Sequence, residues 1–324
     1  MANPPAMNLY ATITDANYLV RAWALYRSLL PHLDDGLFAF YCVDDTSVEI
    51  LSRLDPTKTL IVPHADFQLP ELKRAYSNRN RSEYCWTTKP FLIRDLFARY
   101  PAAQWGMYLD SDMAAFADPK QALDLAGDAD VLLTPHRFAT PLHAAFETTV
   151  GHFNAGLAAF RRTTEGVRAL DWWAERCLEL CPAVPTPDAY ADQKYLNRMP
   201  ETVKTTHLSP HPGLNAGPWN IEAYRVTPGA VSPLLSGQEL LIYHFQGLRI
   251  FGTRFFDCYP GNMQLPPDAM DLIYRPYTRR LKDSFAELAG ASPGFRAGVQ
   301  PVRPHWVASQ ARRLVRGLNN LAFA

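Results

Sequence analysis

The sequence lacks the features that mark disordered, membrane-spanning and disulfide-stabilised proteins. Hydrophobic residues make up 48% of its 324 residues, which is too many for a disordered chain. No uninterrupted apolar run reaches the roughly 18 residues that a spanning helix requires. The five cysteines are an odd number without a CxxC pair, so we expect reduced thiols in the core. These absences leave a globular protein that is long enough for a large buried core.

The sequence also lacks an excess of charge and a leader-like start. Its 32 lysines and arginines equal its 32 aspartates and glutamates. This balance argues against a protein-wide field that attracts nucleic acid, so we expect no nucleic-acid partner. The first 14 residues contain neither a basic segment nor a long apolar segment, so we expect a cytoplasmic location without a secretory signal.

Apolar runs that favour strands alternate with segments of helical periodicity. Alternating strands and helices predict an α/β fold whose mixed, mostly parallel sheet is flanked by helices. We expect strands at residues 8–14, 37–43, 58–62, 105–109, 129–134, 153–160 and 239–244, and helices at 17–30, 47–54, 90–100 and 163–181.

The most informative motif is a pair of aspartates at the end of an apolar strand. Strand 105–109 runs directly into Asp110, Ser111 and Asp112. Residues two apart on a strand point to the same side, so both carboxylates can converge on one cation. Open α/β sheets bind ligands at the carboxyl ends of their strands. Two oxygen ligands with open positions suit Mg²⁺ or Mn²⁺ bound together with a phosphorylated substrate.

Taken alone, this motif fits other interpretations. Aspartates are common in turns and at helix N-termini, so the pair could be structural. Haloacid-dehalogenase-like phosphatases also place a DxD after a strand, but Gly or Thr normally follows there, whereas Met113 and Ala114 follow here. Asp44 and Asp45 form a second candidate pair, for which we expect a turn.

Six blocks in a fixed order make the sequence resemble the GT-A glycosyltransferases, and among them the retaining family 8 that includes glycogenin and bacterial lipopolysaccharide galactosyltransferases. Besides the DxD, these blocks are YATITDANYLVRAWALYRSLLPH, TTKPFLIRDLF, FNAGLAAF, ADQKYLN and IYHFQG, and they cover roughly residues 8–250. The resemblance implies the Rossmann-like GT-A fold of nucleotide-diphospho-sugar transferases. We expect a catalytic domain over residues 1–262, with its nucleotide-binding part at about 1–115 and its acceptor part at about 116–262, and a helical C-terminal extension over 263–324.

The resemblance also implies roles for individual residues. The positions that hold the nucleotide sugar are matched by Thr12, Thr14, Tyr18, Lys89, Asp110, Ser111, Asn154 and Gly247. The three metal ligands are matched by Asp110, Asp112 and His244, and the reacting centre by Asp192 and Gln193. The implied cofactors are Mn²⁺ or Mg²⁺ and a nucleotide-sugar donor, which we expect to be a UDP-sugar.

Two parts of the site depart from the resemblance. In the family a lysine six positions after the histidine holds the diphosphate, and Ile250 stands there in this sequence. We expect Arg249 to replace it, with Arg254 as the alternative, because a guanidinium binds phosphate bidentately. The loop 211–221 is similar to a string in other bacterial polysaccharide transferases. Its amide and aromatic side chains assign Asn215, Trp219 and Asn220 to the acceptor.

The implied function is metal-dependent transfer of a sugar to a saccharide or lipid-linked saccharide, in bacterial surface polysaccharide or lipopolysaccharide synthesis. Retention by same-face attack is favoured over a covalent nucleophile, with Asp192 orienting sugar hydroxyls. A nucleotidyltransferase is an alternative, although it requires an early glycine-rich phosphate loop that TITDANY does not provide. A second alternative is a non-catalytic protein of the same fold that binds glycan or nucleotide.

The C-terminal tail is the one strongly charged segment. Residues 288–324 contain five arginines and no Asp, Glu or Lys, which leaves the rest of the chain at a net charge of −5. Beside these arginines, an apolar face could be formed by Trp306, Val307, Leu314, Leu318 and Leu321. The tail is therefore either a helix packed on the domain or a helix that lies on an anionic membrane surface.

Overall fold

Strands and helices alternate along the first half of the chain. The computed structural model describes residues 7–34, 36–67, 69–261 and 263–324. The strands are β1 Met7–Thr14, β2 Leu37–Cys42, β3 Thr59–Pro63, β4 Ala103–Leu109, β5 Met113–Ala115, β6 Val131–Pro135, β7 Phe153–Arg161, β8 Thr206–Leu208, β9 Leu214–Ala216, β10 Val226–Thr227, β11 Leu234–Leu235, β12 Gln238–Glu239, β13 Ile242–His244, β14 Arg249–Phe251, β15 Phe255–Asp257 and β16 Leu321–Phe323. The helices are α1 Leu19–Leu29, α2 Asp45–Leu54, α3 Pro70–Asn78, α4 Arg81–Arg99, α5 Lys120–Leu125, α6 Pro141–Ala144, α7 Glu147–Val150, α8 Thr164–Glu179, α9 Met199–Thr202, α10 Pro267–Ala269, α11 Arg275–Ala291 and α12 Pro304–Val315.

A seven-stranded sheet forms the centre of the fold, in the order β3-β2-β1-β4-β7-β6-β8. Strand β7 runs antiparallel to β4 and β6, and the other neighbours are parallel. The prediction of a mixed, mostly parallel sheet is confirmed. Because β1 and β4 are parallel and β7 is antiparallel, the ends of β1 and β4 meet the start of β7 at one edge.

Helices cover both faces of this sheet. Tyr10 and Phe40 point into the core beneath α1 and α11, whereas Ala11 and Tyr41, their neighbours along the strands, point into the core beneath α4 and α8. This alternation follows from the two-residue period of a strand. Burying each large aromatic side chain contributes about 1.5–3 kcal/mol, so both cores stabilise the layer that carries the strand ends.

A small second sheet, β5-β13-β9, brings a distant segment to that edge. Strand β13 pairs antiparallel with β5, which places His244 opposite Met113. The amide of Phe245 donates to the carbonyl of Asp112 over 2.8 Å. The chain therefore returns to the aspartate pair after more than a hundred residues.

Helix α4 begins earlier than the sequence predicts. The expected start was Pro90, but a capping box formed by Asn80 and Glu83 starts the helix at Arg81. Pro90 is inside the helix. Lys89 consequently lies in the middle of α4 on its buried side rather than at an exposed helix start.

The C-terminal extension is mainly helical but shares a sheet with the preceding region. Strand β16 pairs with β15, and a π-helical stretch, Met270–Tyr274, joins α10 to α11. All five cysteines are free thiols, and four of them are buried. Within the described ranges, no helix combines the length and the apolar character needed to cross a bilayer.

Candidate functional site

A cavity of about 500 Å³ opens at the edge where β1, β4 and β7 meet. Two groups of side chains in its lining bear on its chemistry. The first, which we call the charged cluster, consists of Lys89, Asp110, Asp112, Asp192 and His244. The second, the aromatic cluster, consists of His136, Phe138 and Trp219. An edge-to-face contact between Trp219 and His244, with ring centres 5.3 Å apart, joins the two clusters.

Asp110, Asp112 and His244 form the part of the charged cluster that suits a metal ion. One ligand atom of each lies within 4.8 Å of the others. Nε2 of His244 is 3.2 Å from Oδ1 of Asp112, and Nδ1 is buried without a hydrogen-bond partner among the residues that the structure describes. An imidazole with an unsatisfied nitrogen beside two carboxylates fits a divalent metal ion. The structure thus brings together the three side chains that the resemblance assigns to the metal.

The pKa values of Asp112 and His244 reflect their contact. Burial raises the pKa of Asp112, but His244, Arg21 and a backbone hydrogen bond together hold this pKa below its ordinary value. Burial lowers the pKa of His244, but Asp112 and Asp110 together raise it above its ordinary value. A metal ion at this position competes with the proton of His244, so its affinity should fall as the solution becomes more acidic.

Gly156 leaves the space that the imidazole of His244 occupies. A Cβ atom at position 156 would lie 2.6 Å from Cε1 of His244 and 2.7 Å from Oδ1 of Asn154. The amide of Gly156 donates to that Oδ1 over 2.9 Å, and its carbonyl accepts from the amide of Asp110 over 2.8 Å. The Asn-Ala-Gly sequence therefore fixes the positions of both Asp110 and His244.

Lys89 holds two carboxylates of the charged cluster together. Its Nζ is 3.1 Å from Oδ1 of Asp110 and 3.2 Å from Oδ2 of Asp192. The contact with Asp192 has the distance of an ion pair but not the alignment of a hydrogen bond. Burial lowers the pKa of Lys89, but the two carboxylates raise it by more than burial lowers it, so the ammonium stays charged. Lys89 also donates to the carbonyl of Ala155 over 3.2 Å.

The surroundings of Asp192 disfavour the ionised form of its carboxyl group. Burial raises its pKa from the ordinary 3.8 to about 6, although Lys89 opposes this shift. The preceding residue, Ala191, has a φ of 47°, a left-handed conformation that costs free energy for a residue with a Cβ. Strain and an elevated carboxyl pKa at a cavity are typical of functional positions.

Gln193 also lines the cavity, but its amide is used by the protein. Its Oε1 accepts from the amide of Ala155 over 3.1 Å, and its Nε2 donates to the carbonyl of Val150 over 2.8 Å. Gln193 therefore joins β7 to the end of α7 beside the reacting position of the resemblance.

The residues expected at the nucleoside are only partly exposed to the cavity. Thr14 and Tyr18 line it, whereas Thr12 is buried beneath it. Oγ1 of Thr12 lies 3.0 Å from Oγ of Ser111, which donates to the carbonyl of Ile13 over 2.6 Å. These bonds tie β1 to the loop that carries both aspartates.

The structure does not bring Arg249 to the cavity lining. Arg249 opens β14 opposite Asp257, Ile250 is buried, and Gly247, with a φ of 80°, forms the turn before them. Among the described residues, the lysine and arginine side chains that line the cavity are Arg81 and Lys89. The cation expected for the diphosphate is therefore not at the position that the sequence suggests.

Of the three residues expected at the acceptor, Trp219 lines the cavity and the two asparagines lie behind its wall. Nδ2 of Asn215 donates to Oγ1 of Thr134 over 2.7 Å. Nδ2 of Asn220 donates to the carbonyl of His136 over 2.7 Å, and its Oδ1 accepts from the amide of Gly217 over 3.1 Å. The side-chain amides of Asn215 and Asn220 therefore hold in place the loop that carries Trp219.

Sequence reasoning missed His136, Phe138 and Arg81. The imidazole of His136 stacks on Phe138, with ring centres 4.6 Å apart, and Trp219 contacts it edge-on at 5.7 Å. Burial lowers the pKa of His136 to about 4, against hydrogen bonds to the backbone of residues 151 and 152, so it is neutral near pH 7. The sequence feature that could have indicated His136 is its position directly after β6, which is another strand that ends at this edge of the sheet.

Comparisons with known proteins give relatives in sequence and in fold. No protein-family model matches the chain. The uncharacterized protein YfnD of Bacillus subtilis (strain 168) is 29% identical over 295 residues, which cover 90% of this chain and 94% of YfnD. The uncharacterized protein YfnF of the same organism is 30% identical over 248 residues, which cover 74% of this chain and 82% of YfnF. The galactosyltransferase LgtC, solved with donor and acceptor sugar analogues, superimposes with a TM-score of 0.50 at 14% identity and covers 93% of this chain and 99% of its own. This last likeness shows the fold, which is the GT-A fold that the sequence predicts.

Proposed function

We propose that this chain, which belongs to the same family as YfnF, is a metal-dependent glycosyltransferase. Its GT-A fold supports this activity. It moves a sugar from a nucleotide-diphosphate sugar, for which we expect a UDP-sugar, to a saccharide or lipid-linked saccharide. The expected setting is bacterial surface polysaccharide or lipopolysaccharide synthesis, with retention at the anomeric carbon. The observation that carries the proposal is the convergence of Asp110, Asp112 and His244 at the cavity.

Asp110, Asp112 and His244 would hold Mn²⁺ or Mg²⁺, and the nitrogen ligand favours Mn²⁺. When bound, the ion supplies a Lewis acid that neutralises the charge of a departing diphosphate, so that no general acid is needed. The protein's contribution is to fix the ligands. Oδ1 of Asp112 and Nε2 of His244 are held 3.2 Å apart, and the backbone of Gly156 positions Asp110.

Asp192 and Lys89 can serve the donor sugar together. Lys89 favours the ionised form of Asp192 although burial opposes it, and a buried carboxylate accepts strong hydrogen bonds from hydroxyl groups. We assign Asp192 to orienting the sugar hydroxyls. Gln193, whose amide is bound by the backbone on both sides, is a poor candidate for a covalent nucleophile and supports same-face attack instead.

The two clusters divide the cavity between donor and acceptor. The resemblance assigns Thr14 and Tyr18 to the nucleotide, and both line the cavity. Arg81 lines the same cavity, and its guanidinium suits a phosphate. The aromatic cluster provides apolar faces against which a sugar ring packs, so we assign Trp219 to the acceptor. Asn215 and Asn220 serve the acceptor indirectly, by positioning the loop of Trp219.

The first experiment is a thermal-shift panel of UDP, GDP, CDP and TDP with and without Mn²⁺. A ligand at about a hundred times its dissociation constant stabilises the protein by roughly 2.7 kcal/mol. We expect a metal-dependent shift, largest with UDP, that Asp112→Asn and His244→Ala abolish together with sugar transfer. Asp124→Asn is the control, because Asp124 pairs with Lys120 on the exposed surface of α5 and does not line the cavity.

The outcomes separate the competing functions. A metal-dependent nucleotide shift without release of UDP from any UDP-sugar indicates a non-catalytic binding protein. Pyrophosphate release from a nucleoside triphosphate and a sugar phosphate indicates a nucleotidyltransferase. Full activity of Asp112→Asn or His244→Ala in the presence of metal rules out the assigned metal site.

A further inference from the structure

Tyr108 is a buried tyrosine whose hydroxyl group reaches one of the three metal-binding side chains. It is the last but one residue of β4, and Asp110 follows two positions later, so both side chains point to the same side of the sheet. Tyr108 is only 2% exposed, yet it lines the cavity. Its hydroxyl oxygen lies 3.1 Å from Oδ1 of Asp110. Because an ionised carboxylate can only accept, the phenol donates this hydrogen bond.

The same carboxylate oxygen has a second partner. Nζ of Lys89 is 3.1 Å from Oδ1 of Asp110 and 4.7 Å from the centre of the Tyr108 ring, which is the geometry of a cation–π contact. Lys89 is itself fixed, since it is buried and donates to the carbonyl of Ala155 over 3.2 Å. Both partners thus hold Oδ1, and no group in the described parts of the chain donates a hydrogen bond to Oδ2 of Asp110.

A carboxylate that is held by one oxygen offers only its other oxygen to a cation. Mg²⁺ and Mn²⁺ form compact octahedral sites in which a carboxylate can contribute a single oxygen. Ca²⁺ is larger, takes about six to eight oxygen ligands and often binds both oxygens of one carboxylate. Holding Oδ1 of Asp110 therefore disfavours Ca²⁺. Packing alone does not require the Tyr108 hydroxyl, because a phenylalanine would fill the same space.

We infer that Tyr108 is a positioning residue that, together with Lys89, binds Oδ1 of Asp110, leaves Oδ2 for the metal and makes the site selective for Mn²⁺ or Mg²⁺ over Ca²⁺. This inference rests on the metal site of the proposed function. Groups that hydrogen-bond to metal ligands typically change metal affinity by about 10–100-fold. Without the phenol hydroxyl, the Asp110 carboxylate can turn and offer both oxygens to a larger ion.

Binding of Mn²⁺ to the full-length protein, first without nucleotide and then with UDP, tests this inference. The electron paramagnetic resonance signal of free Mn²⁺ measures the affinity, and added Ca²⁺ competes for the site. Tyr108→Phe should weaken Mn²⁺ binding by about tenfold and change Ca²⁺ binding by less than about twofold. At saturating Mn²⁺, the concentration of Ca²⁺ that displaces half of the bound Mn²⁺ should therefore fall by about tenfold.

Tyr26→Phe is the matched control. Tyr26 is also 2% exposed, and its hydroxyl donates to the carbonyl of Thr57 over 2.9 Å, but it does not line the cavity. This variant should bind both ions like the wild type, although it too loses one buried hydrogen bond. The comparison separates the position of the Tyr108 hydroxyl from the general effect of removing a phenol oxygen.

The outcomes distinguish the role of Tyr108 from the metal site itself. Wild-type affinity for Mn²⁺ in Tyr108→Phe overturns the inference. Weakening of Mn²⁺ and Ca²⁺ binding by the same factor also overturns it, because a merely structural loss affects both ions alike. In either case the proposed function stands. A wild-type protein that binds no Mn²⁺, with or without UDP, instead rules out the metal site, and the proposed function fails together with this inference.

Discussion

The charged cluster and the aromatic cluster lie in one cavity but are held in place in different ways. In the charged cluster, Asp110 and Asp192 compete for one ammonium group, and Nδ1 of His244 has no hydrogen-bond partner among the described residues. In the aromatic cluster, Nδ1 of His136 donates to the carbonyl of residue 152 over 3.2 Å, and the ring stacks on Phe138.

This difference indicates which cluster needs a ligand. In the charged cluster, the pKa of Asp192 is raised to about 6. Keeping this carboxylate ionised near pH 7 therefore lowers the stability of the folded protein. A bound cation and donor would relieve that cost, as is common where function opposes stability. In the aromatic cluster the rings contact one another and His136 is neutral near pH 7, although Nε1 of Trp219 has no hydrogen-bond partner among the described residues. We therefore expect substitutions in the charged cluster to change stability and binding strongly, and those in the aromatic cluster to change them little.

The largest effect on stability is expected from Lys89→Met. It leaves the Asp110 and Asp192 carboxylates without their shared cation, and breaking a buried ion pair in this way costs about 3–5 kcal/mol. Urea unfolding monitored by circular dichroism measures the loss, and metal-dependent nucleotide binding should be lost as well. Lys120→Met is the control, because its pair with Asp124 is exposed and worth at most about 1 kcal/mol. A Lys89→Met protein within 1 kcal/mol of the control would show that the two carboxylates do not depend on this ammonium.

A smaller effect of opposite sign is expected from Asp192→Asn. With its pKa raised from 3.8 to about 6, native Asp192 holds more protons than the unfolded chain between these values. Its contribution to stability therefore falls as the pH rises through this window. The asparagine variant should be more stable than wild type above pH 6, by up to about 3 kcal/mol, and should lose transfer activity.

Thermal unfolding from pH 4 to pH 8 measures this effect. The difference between Asp192→Asn and wild type should grow between pH 4 and pH 6 and then stay constant. Asp171→Asn is the control, because its pair with Arg94 is half exposed and worth at most about 1 kcal/mol. A gain in stability that is the same at every pH would mean that the charge of Asp192 is not its cause.

The sequence predicted the charged cluster far better than the aromatic one, for a physical reason. Asp110 and Asp112 follow a strand whose apolar pattern is plain, so their place at the sheet edge follows from geometry. The resemblance then supplied His244 and Asp192. His136 and Phe138 reach the cavity from the irregular segment after β6, where no periodicity shows which way a side chain points.

Two further placements have causes that local sequence rules do not capture. The start of α4 depended on the capping box of Asn80 and Glu83, which puts Lys89 nine residues into the helix. Arg249 was expected at the diphosphate because of its nearness in sequence to a family position, but the pairing of β14 with β15 sets its surroundings. Such placements depend on tertiary contacts that single-sequence reasoning does not determine.

The smallest effect is expected in the aromatic cluster, from Trp219→Phe. The substitution replaces the indole of Trp219 by a smaller ring and so weakens its edge contacts with His136 and His244. Losing aromatic pair contacts of this kind costs about 0.5–1.5 kcal/mol. Because Trp219 is assigned to the acceptor, the affinity for UDP with Mn²⁺ should change by less than about twofold, equivalent to roughly 0.4 kcal/mol. Titration calorimetry and urea unfolding measure the two quantities. Trp306→Phe, in the contact with Phe251 away from the cavity, controls for the general cost of replacing an indole by a phenyl ring. A tenfold loss of nucleotide affinity in Trp219→Phe alone would mean that this ring contacts the donor, and that the division of the cavity between donor and acceptor runs through the aromatic cluster rather than beside it.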